Sequence, residues 1–199
     1  MLPINERIVT KEQLRDYLEI ELKAYGGSRI YDCFHFTEFS ILRRYITLLR
    51  KAEFYTNTHA KLCSVYYKLR LYRLGMKYGI NIPLNVCKKG LKICHVGPIL
   101  VSNNAIVGEH CSIHINTGIV AGGNTNKAPT LGNNIVIGIG AVLLGDITIA
   151  DNVAIGANAV VNRSILEPSI TVAGVPAKKI SDNGKSSWEK LCALDEKGI

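Results

Sequence analysis

Five histidines, His35, His59, His95, His110 and His114, are the side chains of this 199-residue chain best suited to move a proton at neutral pH. An unperturbed imidazole titrates near pH ~6.5, so a large fraction stays neutral and able to act as a base. His95, His110 and His114 stand in one short stretch, and neutral imidazoles in threes also hold zinc with a fourth position open for water. General base and metal ligand are therefore the two chemistries to weigh. The six cysteines, Cys33, Cys63, Cys87, Cys94, Cys111 and Cys192, show no CxxC pair and no zinc-ribbon spacing. They read as free thiols of a reduced, intracellular chain.

The element that must position these histidines is visible as a period. Every sixth residue from Val101 reads Val101, Val107, Ile113, Ile119, Thr125, Leu131, Ile137, Leu143, Ile149, Ile155 and Val161, and ten of these eleven are Val, Ile or Leu. The slot four residues on is small or β-branched: Ala105, Cys111, Thr117, Ile135, Ala141, Ile147, Val153, Ala159 and Ile165. Between the slots stand turn residues, as in Asn133-Asn134, Gly145-Asp146 and Asp151-Asn152. Neither a strand nor a helix repeats every six residues, whereas a chain that turns a corner every six does. Three sides make one triangular coil, and coils paired edge to edge make a parallel β-helix solenoid. His114 follows the inward slot Ile113 and should face outward, one coil and one residue after His95. The stretch Ala121 to Pro129, with Gly122-Gly123, interrupts the repeat and reads as an extruded loop.

Residues 1–80 differ in texture. Thr10 and Gln13 form a capping-box pattern, and helices are predicted from there, over about Thr37 to Tyr55, and over about Thr58 to Tyr78 with Gly79 as a left-handed stop. Of 24 Lys and Arg, 16 precede residue 91, against 8 of the 16 Asp and Glu, so all of the net charge of +8 lies before residue 91. The excess marks a solvated face, or a surface that meets an anionic membrane, a phosphate-bearing substrate or nucleic acid. The division expected is a basic α-helical region at 1–80, a β-helix at 81–180 and a tail with a short helix at 181–199. The N-terminus lacks the apolar core of a signal peptide, and no run approaches ~18 apolar residues. A cytoplasmic protein is expected, or one peripheral to the inner face of the membrane.

Val107-Gly108-Glu109-His110-Cys111, Ile137-Gly138-Ile139-Gly140-Ala141, Ile155-Gly156-Ala157-Asn158-Ala159 and the ending Ala173-Gly174-Val175-Pro176-Ala177-Lys178-Lys179-Ile180 resemble the hexapeptide-repeat acyltransferases. These are left-handed parallel β-helices, and the likeness covers about residues 80 to 180. Ile93-Cys94-His95-Val96-Gly97-Pro98-Ile99-Leu100-Val101 resembles the serine acetyltransferase branch, whose catalytic His falls six residues before an aliphatic slot.

The resemblance implies acetyl-CoA as donor with no metal and His95 as general base, while His114, one coil and one residue further on, is a second candidate site residue by the period alone. The resemblance also implies a homotrimer, or a dimer of trimers, with CoA along the groove between prisms. The positions matched for CoA are Ala121, Ile139 and Ala157, with Lys178 and Lys179 near its phosphates. Departures from the branch are Cys94, where an Asp usually precedes the base, and Asn126-Lys127-Ala128-Pro129, where Arg and a second His stand before the Pro. These resemble the exopolysaccharide and capsule O-acetyltransferases, so a sugar hydroxyl is the expected acceptor and serine the alternative. No nucleic-acid partner is expected. Remoter alternatives are a zinc enzyme like the γ-class carbonic anhydrases, using His95, His110 and His114, and a non-catalytic scaffold docked through the basic helices.

Overall fold

The structure is a computed structural model, and it describes residues 2–26, 37–123 and 126–187. His35, Cys33, Thr125 and Cys192 lie outside the described residues, as do residues 188–199 of the tail expected to carry a short helix; residues 185–187 of that tail are helical.

Helix α1 (Lys11–Lys23) opens with the expected capping box: Gln13 N donates to Thr10 Oγ1 at 3.1 Å, and Thr10 N donates to Gln13 Oε1 at 3.0 Å. Helix α2 (Glu38–Asn57) is capped by Thr37, whose hydroxyl accepts from Ser40 N. Helix α3 (Lys61–Tyr78) stops at Gly79, in the left-handed region with φ +75°. The α2–α3 boundary falls later than predicted because His59, at φ +57°, makes the turn between the helices.

A buried ionic cluster joins the helices to the first coil. Arg50, 1% exposed, donates from Nε and Nη2 to the Glu21 carboxylate, from Nη1 to Glu53 at 2.8 Å, and to the carbonyls of Cys87 and Lys88. All five guanidinium donors are thereby used. Glu21 also accepts from the Gly90 and Leu91 amides, and Glu53 from the Asn85 amide. Tyr25 adds a second tie by accepting from Ile93 N at 2.8 Å.

The solenoid has three parallel faces. Ile80–Asn81, Ile99–Val101, Thr117–Val120, Val142–Leu144 and Val160–Val161 stack on the first. The second holds Ile106–Val107, Thr130–Leu131 and Thr148–Ile149. On the third lie Lys92–Ile93, Ser112–Ile113, Val136–Ile137, Ala154–Ile155 and Thr171–Ala173, closed by the antiparallel Lys178–Ser181. The ten aliphatic slots are each 2% exposed or less, and burying such a side chain contributes about 1.5–3 kcal/mol. They form the prism axis.

Corners are tight. Asn116, Asn134, Asn152 and Asn158 all adopt positive φ, a conformation Asn tolerates through local hydrogen bonding. Asn134 donates to Asn152, and Asn152 to Ser169, as a ladder down one edge. A Cβ on Gly108 would lie 2.2 Å from the Gly132 carbonyl oxygen, so successive backbones touch there and only glycine fits.

Candidate active site

Each coil passes from the third face to the first through a corner, and His95 and His114 occupy successive turns of that edge. Lys92–Ile93 precedes His95, and Ser112–Ile113 precedes His114. Lys92 pairs with Ser112 and Ile93 with Ile113, so the two corners stack. The ring centroids are 5.9 Å apart, inclined at 45°.

The groups around the pair come from three elements. Glu38, the first residue of α2, places Oε1 3.4 Å from His95 Nδ1, and the same oxygen accepts from Val96 N at 2.7 Å. Thus a carboxylate faces His95 even though Cys94 stands in the usual Asp position. Glu38 was not among the residues singled out by sequence. Its only local signal is a first-turn acid after a Thr N-cap, which favourable helix-dipole placement explains equally well.

His114 is half-buried, and its Nδ1 has no hydrogen-bond partner among the described residues. Burial first, then its neighbours His95 and Lys92, lowers its pKa below the ordinary value, which favours the neutral ring. Its hydrogen-bonding capacity is left for whatever enters the site. Burial likewise raises the Cys94 thiol against the pull of Lys92 and Lys185. It is kept protonated beside the base, which disfavours a nucleophilic role.

The other expected residues separate by edge. Ile139 and Ala157 stack two and three coils along from His95: Asn158 N donates to Ile139 O, and both corners join the third face to the first. Ile139 is 44% exposed. Ala121 is not with them. It leaves the far end of Thr117–Val120, where Gly118 pairs with Val142 rather than with a residue eighteen positions on, as Val142 does with Val160. The loop extruded there turns at Gly122 against Gly145, is tied by Lys127 to Asp146 at 2.7 Å, and returns to the core at Ala128.

Lys178 and Lys179 lie on the closing antiparallel strand. Lys179 is paired, at 2.6 Å with Glu167 and 2.5 Å with Asp182. His110 adopts φ +54° in the ladder column of Asn134 and Asn152, and its carbonyl accepts from Lys185 Nζ. It sits on another edge from His95 and His114, so the three-histidine arrangement is not formed within one chain. Among the described residues no group of three or more His, Cys, Asp or Glu is placed to hold a metal ion.

A parallel β-helix with six-residue sides and an imidazole pair on one edge defines a hexapeptide-repeat transferase, left-handed as expected. The family model "Bacterial transferase hexapeptide (six repeats)" matches residues 128–163. Serine acetyltransferase of Synechococcus elongatus is 41% identical over 101 residues, 48% of this chain and 40% of that one. Serine acetyltransferase of Helicobacter pylori J99 is 34% identical over 144 residues, 64% of this chain and 82% of that one. The crystal structure of Neisseria gonorrhoeae serine acetyltransferase in complex with serine superposes with a TM-score of 0.62 at 25% identity, covering 86% of this chain and 70% of that one.

The chain belongs to the serine acetyltransferase family of hexapeptide-repeat acyltransferases. It spans less than half the length of the Synechococcus relative and most of the Helicobacter one. The expected closeness to exopolysaccharide and capsule O-acetyltransferases finds no support in these relatives, which are serine acetyltransferases.

Proposed function

We propose that the chain is an acetyl-CoA-dependent serine O-acetyltransferase in which His95 is the general base. The observation that carries this is the His95 imidazole facing Glu38 on one ring nitrogen, with the stacked corners of His114, Ile139 and Ala157 running away from it along one edge. With Nδ1 directed at Glu38, Nε2 is the nitrogen left for the acceptor. The acceptor hydroxyl gives its proton to Nε2 as its oxygen bonds to the thioester carbonyl carbon. The oxyanion then collapses, the carbon–sulfur bond breaks, and the thiolate takes the proton from the imidazolium. The products are the acetyl ester and free CoA. Glu38 opposes the positive charge that His95 carries between these two transfers.

The donor groove lies between prisms of a homotrimer in this reading. One prism supplies the His95 edge, with Ile139, Ala157 and Lys178, while the loop opened by Ala121 on a different edge walls the groove from the neighbouring subunit. That division accounts for Ala121 standing apart from the others. Light scattering is expected to report a trimer or a multiple of it, and a monomer overturns this part.

Serine is the acceptor favoured by the relatives. A sugar hydroxyl is the second reading, and the observation for it is Asn126-Lys127-Ala128-Pro129, which lacks the Arg and His that stand before the Pro elsewhere in the family. Release of CoA thiol from acetyl-CoA, measured with serine, amino sugars, hexoses and short polysaccharide repeats, distinguishes the two. Turnover on serine that is lost in His95→Ala supports the first, and turnover on a sugar alone supports the second. Silence on every acceptor, with no binding of CoA by calorimetry, overturns both.

A further inference from the structure

Helix α3 is apolar on two opposite sides. Tyr67, Leu71, Leu74 and Tyr78 turn inward onto the core cluster. On the other side Leu62, Val65, Tyr66, Leu69, Tyr72 and Met76 are 48–89% exposed. At 3.6 residues per turn these six fall within a band of about 120°, centred opposite the buried face. Such a band on a single helix exceeds the scattered surface apolars that need no explanation.

Its borders are charged with one sign only. Lys61 and Lys68 flank the band on one side and Arg70 and Lys77 on the other, Arg73 stands within it beside Tyr66, and the eighteen residues of α3 include no Asp or Glu. Arg70, Arg73 and Lys77 also line a cleft of about 710 Å³ between α2 and α3, together with Arg43, Arg44 and Lys51. Positive charge therefore extends from the helix border into the molecule. Two copies packed face to face through this band would bring ten cations together with no acid on either helix. An apolar stripe framed by lysine and arginine matches a surface that is acyl inside and phosphate outside.

We propose that α3 docks this protein on an anionic lipid bilayer, lying in the plane of the interface. Leu62, Leu69 and Met76 enter the acyl boundary, while Lys61, Lys68, Arg70, Arg73 and Lys77 reach the lipid phosphates by extending their stems around the band. Among the described residues no helix is long and apolar enough to cross a membrane, so the attachment is to one surface. It goes beyond the transferase reading and is independent of the acceptor.

The test is co-sedimentation of the full chain with phosphatidylcholine vesicles, with and without phosphatidylglycerol, at low and high salt. Binding is expected only with phosphatidylglycerol, and it should weaken about tenfold or more at high salt. Leu69→Ser/Met76→Ser and Lys68→Glu/Arg73→Glu should each lower it about tenfold or more, with the helical circular dichroism and CoA-releasing activity in solution unchanged. Absence of binding to phosphatidylglycerol vesicles, or binding by both variants equal to that of wild type, overturns the proposal. So does a fall in particle mass in Leu69→Ser/Met76→Ser, which would assign the band to a second copy, or binding to DNA but not to vesicles.

Discussion

Glu38 Oε1 lies 3.4 Å from His95 Nδ1, joining the first residue of a helix to the first coil of the solenoid. The helical region therefore builds part of the site rather than only preceding it. Because both side chains are about half exposed, the contact orients the ring more than it stabilises the fold. His95→Ala is expected to lower kcat about 10²- to 10⁴-fold. Glu38→Gln is expected to lower kcat about tenfold with little change in KM, since in the proposed reaction Glu38 opposes a charge that develops on His95 only during transfer. Steady-state kinetics with acetyl-CoA and serine measure both. A Glu38→Gln effect confined to KM would make it a binding residue instead.

Cys94 adjoins the base, and burial keeps its thiol protonated. Cys94→Ser should turn over within about threefold of wild type if, as proposed, the acceptor attacks acetyl-CoA directly and no thioester forms on the protein. Mass spectrometry after rapid mixing with acetyl-CoA should show no acetylated protein. An adduct on wild type that is missing in Cys94→Ser would reverse this expectation.

His114 gives the protein a pH dependence of known sign. Its folded pKa is lowered, so below its ordinary pKa of ~6.5 the unfolded chain takes up the proton first. Stability is complete above pH ~6.5, declines as pH falls through the interval between the two values, and levels off below the folded one. Melting temperatures measured from neutral to mildly acidic pH should show this decline in wild type, and a shallower one in His114→Gln. Parallel curves would mean that burial of His114 is not what the folded state opposes.

Arg50 holds Glu21, Glu53 and two first-coil carbonyls within the joint between helices and solenoid. Arg50→Met leaves two buried carboxylates facing each other and two carbonyls without donors, and should cost about 3–5 kcal/mol in urea unfolding. Burial already pushes the Glu53 carboxyl up against the pull of Arg50. Arg50→Met/Glu21→Gln/Glu53→Gln should recover part of the loss by removing the charges. A single variant as stable as wild type would mean that the cluster contributes register and not stability.

The architecture was legible because a coil is a local object. Each aliphatic slot from Val101 to Val161 faces the axis for the same reason as its neighbours six residues away, and many corners place Asn or Gly where the backbone turns to positive φ. Helix ends at Thr10 and Gly79 were equally local, since capping joins groups a few residues apart. His110 was harder to read: its spacing from His95 and His114 suggested a shared centre, while a positive φ puts it among the turn asparagines of a different edge.

The sequence by itself determined the triangular β-helix, the interruption of the repeat at residues 121–129 and the outward direction of His114, because all of these follow from counting along one chain with a fixed period. Only the tertiary structure decided that Glu38 meets His95, that Ala121 stands on another edge from Ile139 and Ala157, and that α3 keeps an apolar band outside. Those relationships depend on how a helical hairpin is seated on the first coil, which Arg50 and Tyr25 fix through groups remote in sequence. A contact of that kind leaves no period to read.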